Sequence, residues 1–365
     1  MKVLYLINAG IMGGRERHVL TLVKSLPKGV EHCVCAVSGG AATDAMREAG
    51  LNVKVLGGRS GHDIRIVTRF IRLLRAFRPD VVHAHSSAFL PYVVLNCFRG
   101  VPLIQSIHGP SASGKEYEAR AKSLKWKVKT FASRLFERKP DYYLPVSNAT
   151  WDDFKTVHPC AKGEVFFNAL NLDKLPKAKK DISQRKIVVG MVGRMADVKD
   201  WPSFSRVASI VANKRHDVEF WAVGADMCWA RENGCETDNV KWLGLRQDAQ
   251  DLISKMDVYV ITSKSEQLPT TLLEAFAIGV PVVGFMPEGG TKEVVALSEK
   301  KSALLLPERD CQHLADELVR VIDDKKLRTS MIEEGRNIVA KHFDMRKLCA
   351  TQLMGIYERI IKERK

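Results

Sequence analysis

Glu266 and Glu274 stand eight positions apart in Ser263-Lys264-Ser265-Glu266-Gln267-Leu268-Pro269-Thr270-Thr271-Leu272-Leu273-Glu274. A strand-like run ends at Thr262, and a loop then carries Glu266. Pro269, Thr270 and Thr271 open a helix, and Glu274 lies just over a turn inside it. Gly279-Val280-Pro281 stops that helix and launches the next strand. Backbone N–H groups at such a helix start suit a diphosphate. The two carboxylates can accept hydrogen bonds from ribose and hexose hydroxyls, so one nucleotide-sugar could meet all three features. Arg194 and Lys199, in Val192-Gly193-Arg194-Met195-Ala196-Asp197-Val198-Lys199, follow another strand-like run of the same half. Two fixed cations at the carboxyl end of a strand can neutralise a departing diphosphate.

Other candidates are less specific. The opening stretch "NAGIMGGRERHVL" (residues 8–20) puts Gly10, Gly13 and Gly14 between a strand and a helix. It is neither G-x-G-x-x-G nor a P-loop. It reads either as an ordinary turn or as a backbone that can approach a ligand closely. His83, His85 and His108 raise the question of a metal, and the first two share one face of a strand. No Cys or carboxylate completes a ligand set, so no metal is expected there. Imidazoles lining a cleft, or interior histidines with their bonds met, are the better readings. Cys228 and Cys235 lack a second pair at zinc-like spacing. Pro287-Glu288-Gly289-Gly290 precedes a further helix near Thr291.

These residues need a frame to hold them. Apolar runs at 2–8, 31–37, 52–56, 80–84, 102–107, 142–146 and 164–167 read as strands of the first half. Those at 186–192, 217–223, 239–243, 257–262, 281–285 and 303–306 serve the second. Many are almost unbroken in Val, Ile and Leu, as parallel strands covered on both faces are. Helical stretches alternate with them, so the fold class is α/β with two doubly wound domains. Residues 171–185 read as the linker, giving domains at 1–170 and 186–345. The amphipathic stretch 346–365 follows the last strand.

The net charge of +15 is uneven. Residues 1–180 hold 29 Lys and Arg against 14 Asp and Glu, whereas the remainder holds 28 of each. A basic half attracts anionic partners such as nucleic acid, acidic lipid headgroups or phosphorylated glycans. Arginines 65, 69, 72 and 75 line one face of a helix at 64–77, opposite Ile64, Val67, Ile71 and Leu74. The stretch Lys115–Lys139 carries nine basic and three acidic residues. Each reads as a solvated face or as a docking surface for an anionic membrane or lipid-linked acceptor. Few aromatic platforms accompany these charges, and no nucleic-acid motif is present, so nucleic acid is not expected as a partner. Eight cysteines without a framework suit reduced thiols in the cytoplasm. No apolar stretch reaches membrane-span length, and the N-terminus lacks a signal-peptide pattern.

The chain resembles the retaining glycosyltransferases of family 4, which have the GT-B fold. The segments that carry the likeness are "GG-x-E-x-H", "PDVVHAHS", "IQSIHGP", "YYLPVS", "GRMADVK", "LISKMDVYVITSKSEQLPTTLLEAFAIGVPVV" and "PEGGTKEVV". The resemblance implies two Rossmann-like domains facing a central cleft, with a C-terminal helix crossing back to the first. It implies an N-terminal domain for the acceptor and a C-terminal domain for the donor, a UDP- or GDP-sugar, with no metal or other cofactor. Arg194 and Lys199 would hold the diphosphate. Glu266 would contact sugar hydroxyls, Glu274 the ribose, and the segment Leu268 to Thr271 the rest of the donor. Gly13 and Gly14 would approach from the first domain, and His108 would lie near the reacting sugar. A hexosyltransferase of cell-envelope glycan assembly (lipopolysaccharide, O-antigen or capsule) follows, with a glycan or lipid-linked acceptor. It would be cytoplasmic, or peripheral on the inner face of the plasma membrane. Gln267, Ala169, Asp200 and the sequence Val223–Asp226 depart from the usual glycine positions of the family. A nucleotide-sugar epimerase of the same fold is the rival enzyme, and a basic nucleic-acid-binding protein is the rival from a different class.

Overall fold

The computed structural model describes residues 1–8, 10, 12–86, 88–109, 138–178, 186–224, 227–235, 238–298 and 300–364. Most of the basic stretch at 115–139, residues 179–185 of the expected linker and residues 225–226 of the Val223–Asp226 motif lie outside them. Contacts divide the chain into two units, Met1–Asn168 with Met345–Lys365, and Ala169–Asp344.

The first unit is built on six parallel strands: β1 (Lys2–Ile7), β2 (Glu31–Ala36), β3 (Val53–Val55), β4 (Val81–Ala84), β5 (Leu103–Ile107) and β6 (Tyr142–Pro145). Their order is β3-β2-β1-β4-β5-β6, with Val3 opposite Val81 and Leu4 opposite Cys33. The order reverses between β1 and β4, and loops leaving the carboxyl ends of such a pair splay apart to make a crevice. Leu4, Leu6, Ile66, Phe70, Val82 and Leu103 form a fully buried core. Removing one large member, as in Phe70→Ala, would cost about 3–5 kcal/mol.

Helix Arg65–Phe77 departs from the expected face. It buries Ile66, Phe70 and Leu74, whereas Ile64 is 71% exposed. The stripe runs i, i+4, i+8, which places Val67 and Ile71 on its flank. Its arginine face is also partly spoken for, since Arg65 pairs with Asp63 and Arg69 donates to the Leu56 carbonyl. The expected strand at 164–167 is not one. Gly163 makes a single bridge to Tyr143, and the chain then follows β6 through Phe166 N–H to Pro145 O. A side chain at position 163 would meet the Tyr143 carbonyl at 2.3 Å, so the chain crosses there too closely for a regular ladder.

After Asp344 the chain returns to the first unit through helix Met345–Leu348, a π turn over Cys349–Leu353 and helix Met354–Arg364. Tyr357 and Ile360 are buried, and Gln352 donates to the Val165 carbonyl at 2.7 Å. Arg359 pairs with Glu164.

The second unit repeats the plan with β7 (Ile187–Val192), β8 (Val218–Val223), β9 (Val240–Trp242), β10 (Val258–Ile261), β12 (Val282–Phe285) and β14 (Ala303–Leu306). The order β14-β12-β10-β7-β8-β9 reverses between β7 and β10. Trp201, Phe204, Phe220, Leu314 and Leu318 fill the core between this sheet and its helices. Two short strands, β11 (Ser265–Glu266) and β13 (Glu288–Gly289), form a separate parallel pair. Among the described residues no helix is long and apolar enough to cross a membrane.

Candidate active site

In the second unit the reversal point gathers four loops. Those after β7 and β10 bring one of the two expected cations, Lys199, to the expected carboxylate. Lys199 donates to Glu266 Oε1, and Ser263 Oγ donates to the same oxygen at 2.7 Å. Both bonds fall on Oε1, which leaves Oε2 to accept from a ligand. Lys199 and Glu266 are 16% and 14% exposed, enough for contact with a ligand while their attraction is little screened. Arg194 is exposed, and no carboxylate among the described residues pairs with it. Its carbonyl accepts from Trp201 Nε1 at 2.9 Å, so the backbone is anchored while the guanidinium is not.

Asp200 stands where family relatives often carry glycine. Its φ of 52° lies in the left-handed region, which accounts for glycine being suited to the position. Here the carboxylate offsets that strain by capping helix Trp201–Ala212. It accepts from Ser203 Oγ at 2.8 Å and pairs with Arg309. Arg309, in the loop after β14, also donates to Thr262 O at 2.5 Å and Ser263 O at 3.2 Å, and lies over the Phe285 ring. One guanidinium thereby ties the loops after β7, β10 and β14. Its sequence surroundings carry no signal for this.

The Glu266 loop is clamped from the other side by β13. Gly290 N–H donates to Glu266 O at 3.0 Å and Glu288 N–H to Lys264 O at 2.9 Å. Gly289 has φ 101°, and a Cβ there would meet the Glu266 carbonyl at 2.4 Å. The Pro287–Gly290 segment therefore holds Glu266 in place.

Helix Thr270–Ile278 starts at Pro269 with no side-chain cap, so its first N–H groups point outward unclaimed by a side chain. Leu268 and Pro269 are buried and offer backbone only, whereas Thr270 and Thr271 are half-exposed. Glu274 is buried and accepts from Gln250 Nε2 at 2.8 Å. Gln250 was not foreseen. It orients the glutamate from the start of a neighbouring helix. Lys199, Ser263, Glu266, Pro269 and Thr271 line one narrow cleft.

The first unit presents a different site at its own reversal point. His108 follows β5, and its Nε2 lies 3.0 Å from His85 Nδ1. His83 sits below, bonded through Nδ1 to the Tyr357 hydroxyl at 2.6 Å and through Nε2 to the Ser106 hydroxyl at 2.8 Å. Tyr357 reaches Tyr5 in turn, at 3.2 Å between hydroxyls. His83 is thus an interior histidine with its bonds met. His85 is not, because its Nε2 is buried without a partner. His18, on helix Gly14–Lys24, completes the group. Its ring centre is 5.0 Å from that of His108 and 5.6 Å from that of His85.

Burial keeps these imidazoles neutral. It pushes His18 down to about 4, and burial and then the His18 charge push His83 down to about 3. His85 and His108 are held well below the ordinary range, first by burial, then by charge on a neighbouring histidine (His83 for the one, His18 for the other) and on Arg15.

Gly13 and Gly14 begin the helix that carries His18. Gly13 is extended at φ −106°, and its N–H donates to Glu16 at 3.2 Å. Nothing lies within 4 Å of a Cβ added at Gly14. The protein's own packing therefore does not require glycine at position 14, and the space in front of it is open.

Comparison with known proteins bears on what these sites serve. Residues 12–174 match the profile of Glycosyltransferase Family 4, and residues 186–324 that of Glycosyl transferases group 1. Among curated relatives, a Campylobacter jejuni N,N'-diacetylbacillosaminyl-diphospho-undecaprenol alpha-1,3-N-acetylgalactosaminyltransferase is 25% identical over 55% of this chain. The match spans 49% of that enzyme, about half its length. An Escherichia coli UDP-Gal:alpha-D-GlcNAc-diphosphoundecaprenol alpha-1,3-galactosyltransferase is 26% identical over 78% of this chain and 77% of its own. In fold, the chain is similar to Anabaena HepE, solved with UDP and glucose. The TM-score is 0.76 at 20% identity, over 98% of this chain and 99% of that one. With matches along both units and the paired parallel sheets, the chain belongs to the family 4, group 1 glycosyltransferases and has their GT-B fold.

Proposed function

We propose that this glycosyltransferase moves a hexose-type sugar from a UDP- or GDP-sugar to a glycan or lipid-linked acceptor, with retention of anomeric configuration. The observation that carries this reading is the group at the β7/β10 reversal: Lys199 fixed on Glu266, Arg194 exposed and unpaired, and the uncapped start of helix Thr270–Ile278. As the sugar–phosphate bond breaks, negative charge builds on the diphosphate and positive charge on the sugar. Arg194 and Lys199 stabilise the diphosphate with charge already in place, a role a divalent cation fills in other sugar-transfer enzymes. The helix start adds its N–H groups. Glu266 accepts from sugar hydroxyls through Oε2, and Glu274, oriented by Gln250, accepts from the ribose. Front-face attack suits the site, with the leaving phosphate helping to deprotonate the acceptor.

The first unit serves the acceptor side. Gly13 and Gly14 let the backbone approach the sugar-diphosphate, and His108 contacts the reacting sugar as a neutral imidazole. Two of the curated relatives are named for diphospho-undecaprenol acceptors, which supports a lipid-linked acceptor here and a place in envelope glycan assembly. The basic first half would hold such a substrate at an anionic membrane surface from the cytoplasmic side.

The test is nucleoside diphosphate release from a panel of UDP- and GDP-sugars with undecaprenyl-diphosphate-linked and free glycan acceptors, in the presence of a chelator. Acceptor-dependent release with one donor supports the reading, and NMR of the product reports its anomer. Release without any acceptor, or donor turnover only to an isomer, would favour the epimerase. Pelleting with anionic-lipid vesicles at low salt tests the membrane role, which fails if the protein stays in the supernatant.

A further inference from the structure

The histidine group of the first unit carries an inference of its own. One ring nitrogen from each of His18, His85 and His108 lies within 4.8 Å of the other two. His85 Nδ1 and His108 Nε2 are already 3.0 Å apart. Two nitrogens bound to one Zn²⁺ at about 2.0–2.1 Å each stand ~3.3 Å apart in tetrahedral geometry, so this pair needs little adjustment. His18 and His85 are 4% and 1% exposed, and His18 Nδ1 is buried without any hydrogen-bond partner. A buried imidazole nitrogen left unsatisfied calls for an explanation, and an ion bound at His18 Nδ1 supplies one.

We propose that His18, His85 and His108 form a binding site for a first-row transition metal of the zinc class. Three neutral imidazoles are borderline-soft donors of the kind such cations prefer over Mg²⁺ or Ca²⁺. They come from three separate elements, namely the helix after β1 and the carboxyl ends of β4 and β5. Sheet topology fixes all three, so the site is preformed. His108 is only half-buried, which leaves the fourth position to water or a ligand group. His83 packs against His85 at 4.3 Å between ring centres and is held by Tyr357 and Ser106, so it buttresses a ligand without being one.

This site does not supply the transfer chemistry. On the reading above, in which His108 contacts the reacting sugar, a bound cation takes the lone pair that contact needs and switches transfer off. That consequence rests on the proposed function, whereas metal binding does not.

Titration of the chelator-stripped protein with Co²⁺ alone tests the site. The expected result is one equivalent bound, with the intense visible absorption of tetrahedral Co²⁺, displaced by Zn²⁺. His18→Gln and His108→Gln should each weaken binding ~10-fold or more. Should the His18 variant fail to fold, the half-exposed His108 variant decides alone. No Co²⁺ bound by the wild type overturns the site. So does unchanged affinity in folded variants, because the exposed Cys97, Cys160 and Cys228 would then be the ligands. Nucleotide release with and without one equivalent of Zn²⁺ forms the second arm. Binding without inhibition leaves the metal site standing and removes His108 from the reacting sugar.

Discussion

The two units share one sheet order and one reversal point, yet they furnish it oppositely. The second unit fills its crevice with charge, in Lys199 on Glu266, Arg309 on Asp200 and an exposed Arg194. The first fills it with uncharged rings, four histidines and two tyrosines in contact. Topology explains why both sites lie where they do, since strand ends diverge there in each sheet. It does not choose the chemistry. On the function proposed above, that choice follows what each crevice would meet, a diphosphate in one and sugar hydroxyls in the other.

The largest test of the contrast is Arg194→Ala. The side chain is exposed and holds nothing in place, so the fold should be unaffected while turnover falls ~10²-fold or more. Steady-state rates beside a thermal melt check this, and near-normal turnover would take charge stabilisation out of the account. Next comes Gly289→Ala. Its left-handed φ and the nearby Glu266 carbonyl should make it destabilising by about 2–3 kcal/mol and loosen the Glu266 loop. Donor affinity measured calorimetrically should weaken with it. An unchanged affinity would mean Glu266 does not need its clamp.

Acid tests the first unit's crevice through its buried histidines. His18 and His83 titrate near 4 and 3 when folded, against an ordinary 6.5. The unfolded chain therefore takes up protons first. The stability these neutral rings contribute is intact above about pH 6.5 and is lost as pH falls toward the folded values. At pH 5 the loss is about 2 kcal/mol for each ring. Thermal midpoints should drop between pH 7 and 5, and His18→Gln should flatten that drop. An equal slope in the variant would place the acid sensitivity elsewhere. The smallest effect belongs to Tyr357→Phe. It removes the hydroxyl between Tyr5 and His83, costing about 1–2 kcal/mol in denaturant melts while donor affinity stays the same. A lost donor affinity would show that the two crevices are not independent.

Much of the frame was readable beforehand because central parallel strands advertise themselves as unbroken apolar runs. The stretch at 164–167 misled for the same reason. Phe166 is buried there, but in a chain lying beside β6 rather than inside the sheet. Lys199, Glu266 and Glu274 stood out because each lies close in sequence to a helix start. Arg309 and Gln250 did not, since each acts across a fold contact that no local pattern encodes. His18 stood only as the last residue of the GG-x-E-x-H segment, with no role of its own, for a related reason. A histidine one turn into a helix looks ordinary until β1, β4 and β5 bring His85 and His108 against it.

The π turn over Cys349–Leu353 has a consequence for how the chain tolerates changes in length. A π turn holds one residue more than the α turn it replaces, and each residue advances an α-helix by about 100°. Removing a single residue there would leave an ordinary α turn that sweeps the same angle, so the residues beyond it would keep their faces and Tyr357 would stay against Tyr5 and His83. A deletion further along, between Met354 and Ile356, has no such slack: it would turn the following residues by about 100° and put Glu358 against the histidines in place of Tyr357. The extra residue marks the place in the last helix where the chain can shorten without disturbing the crevice.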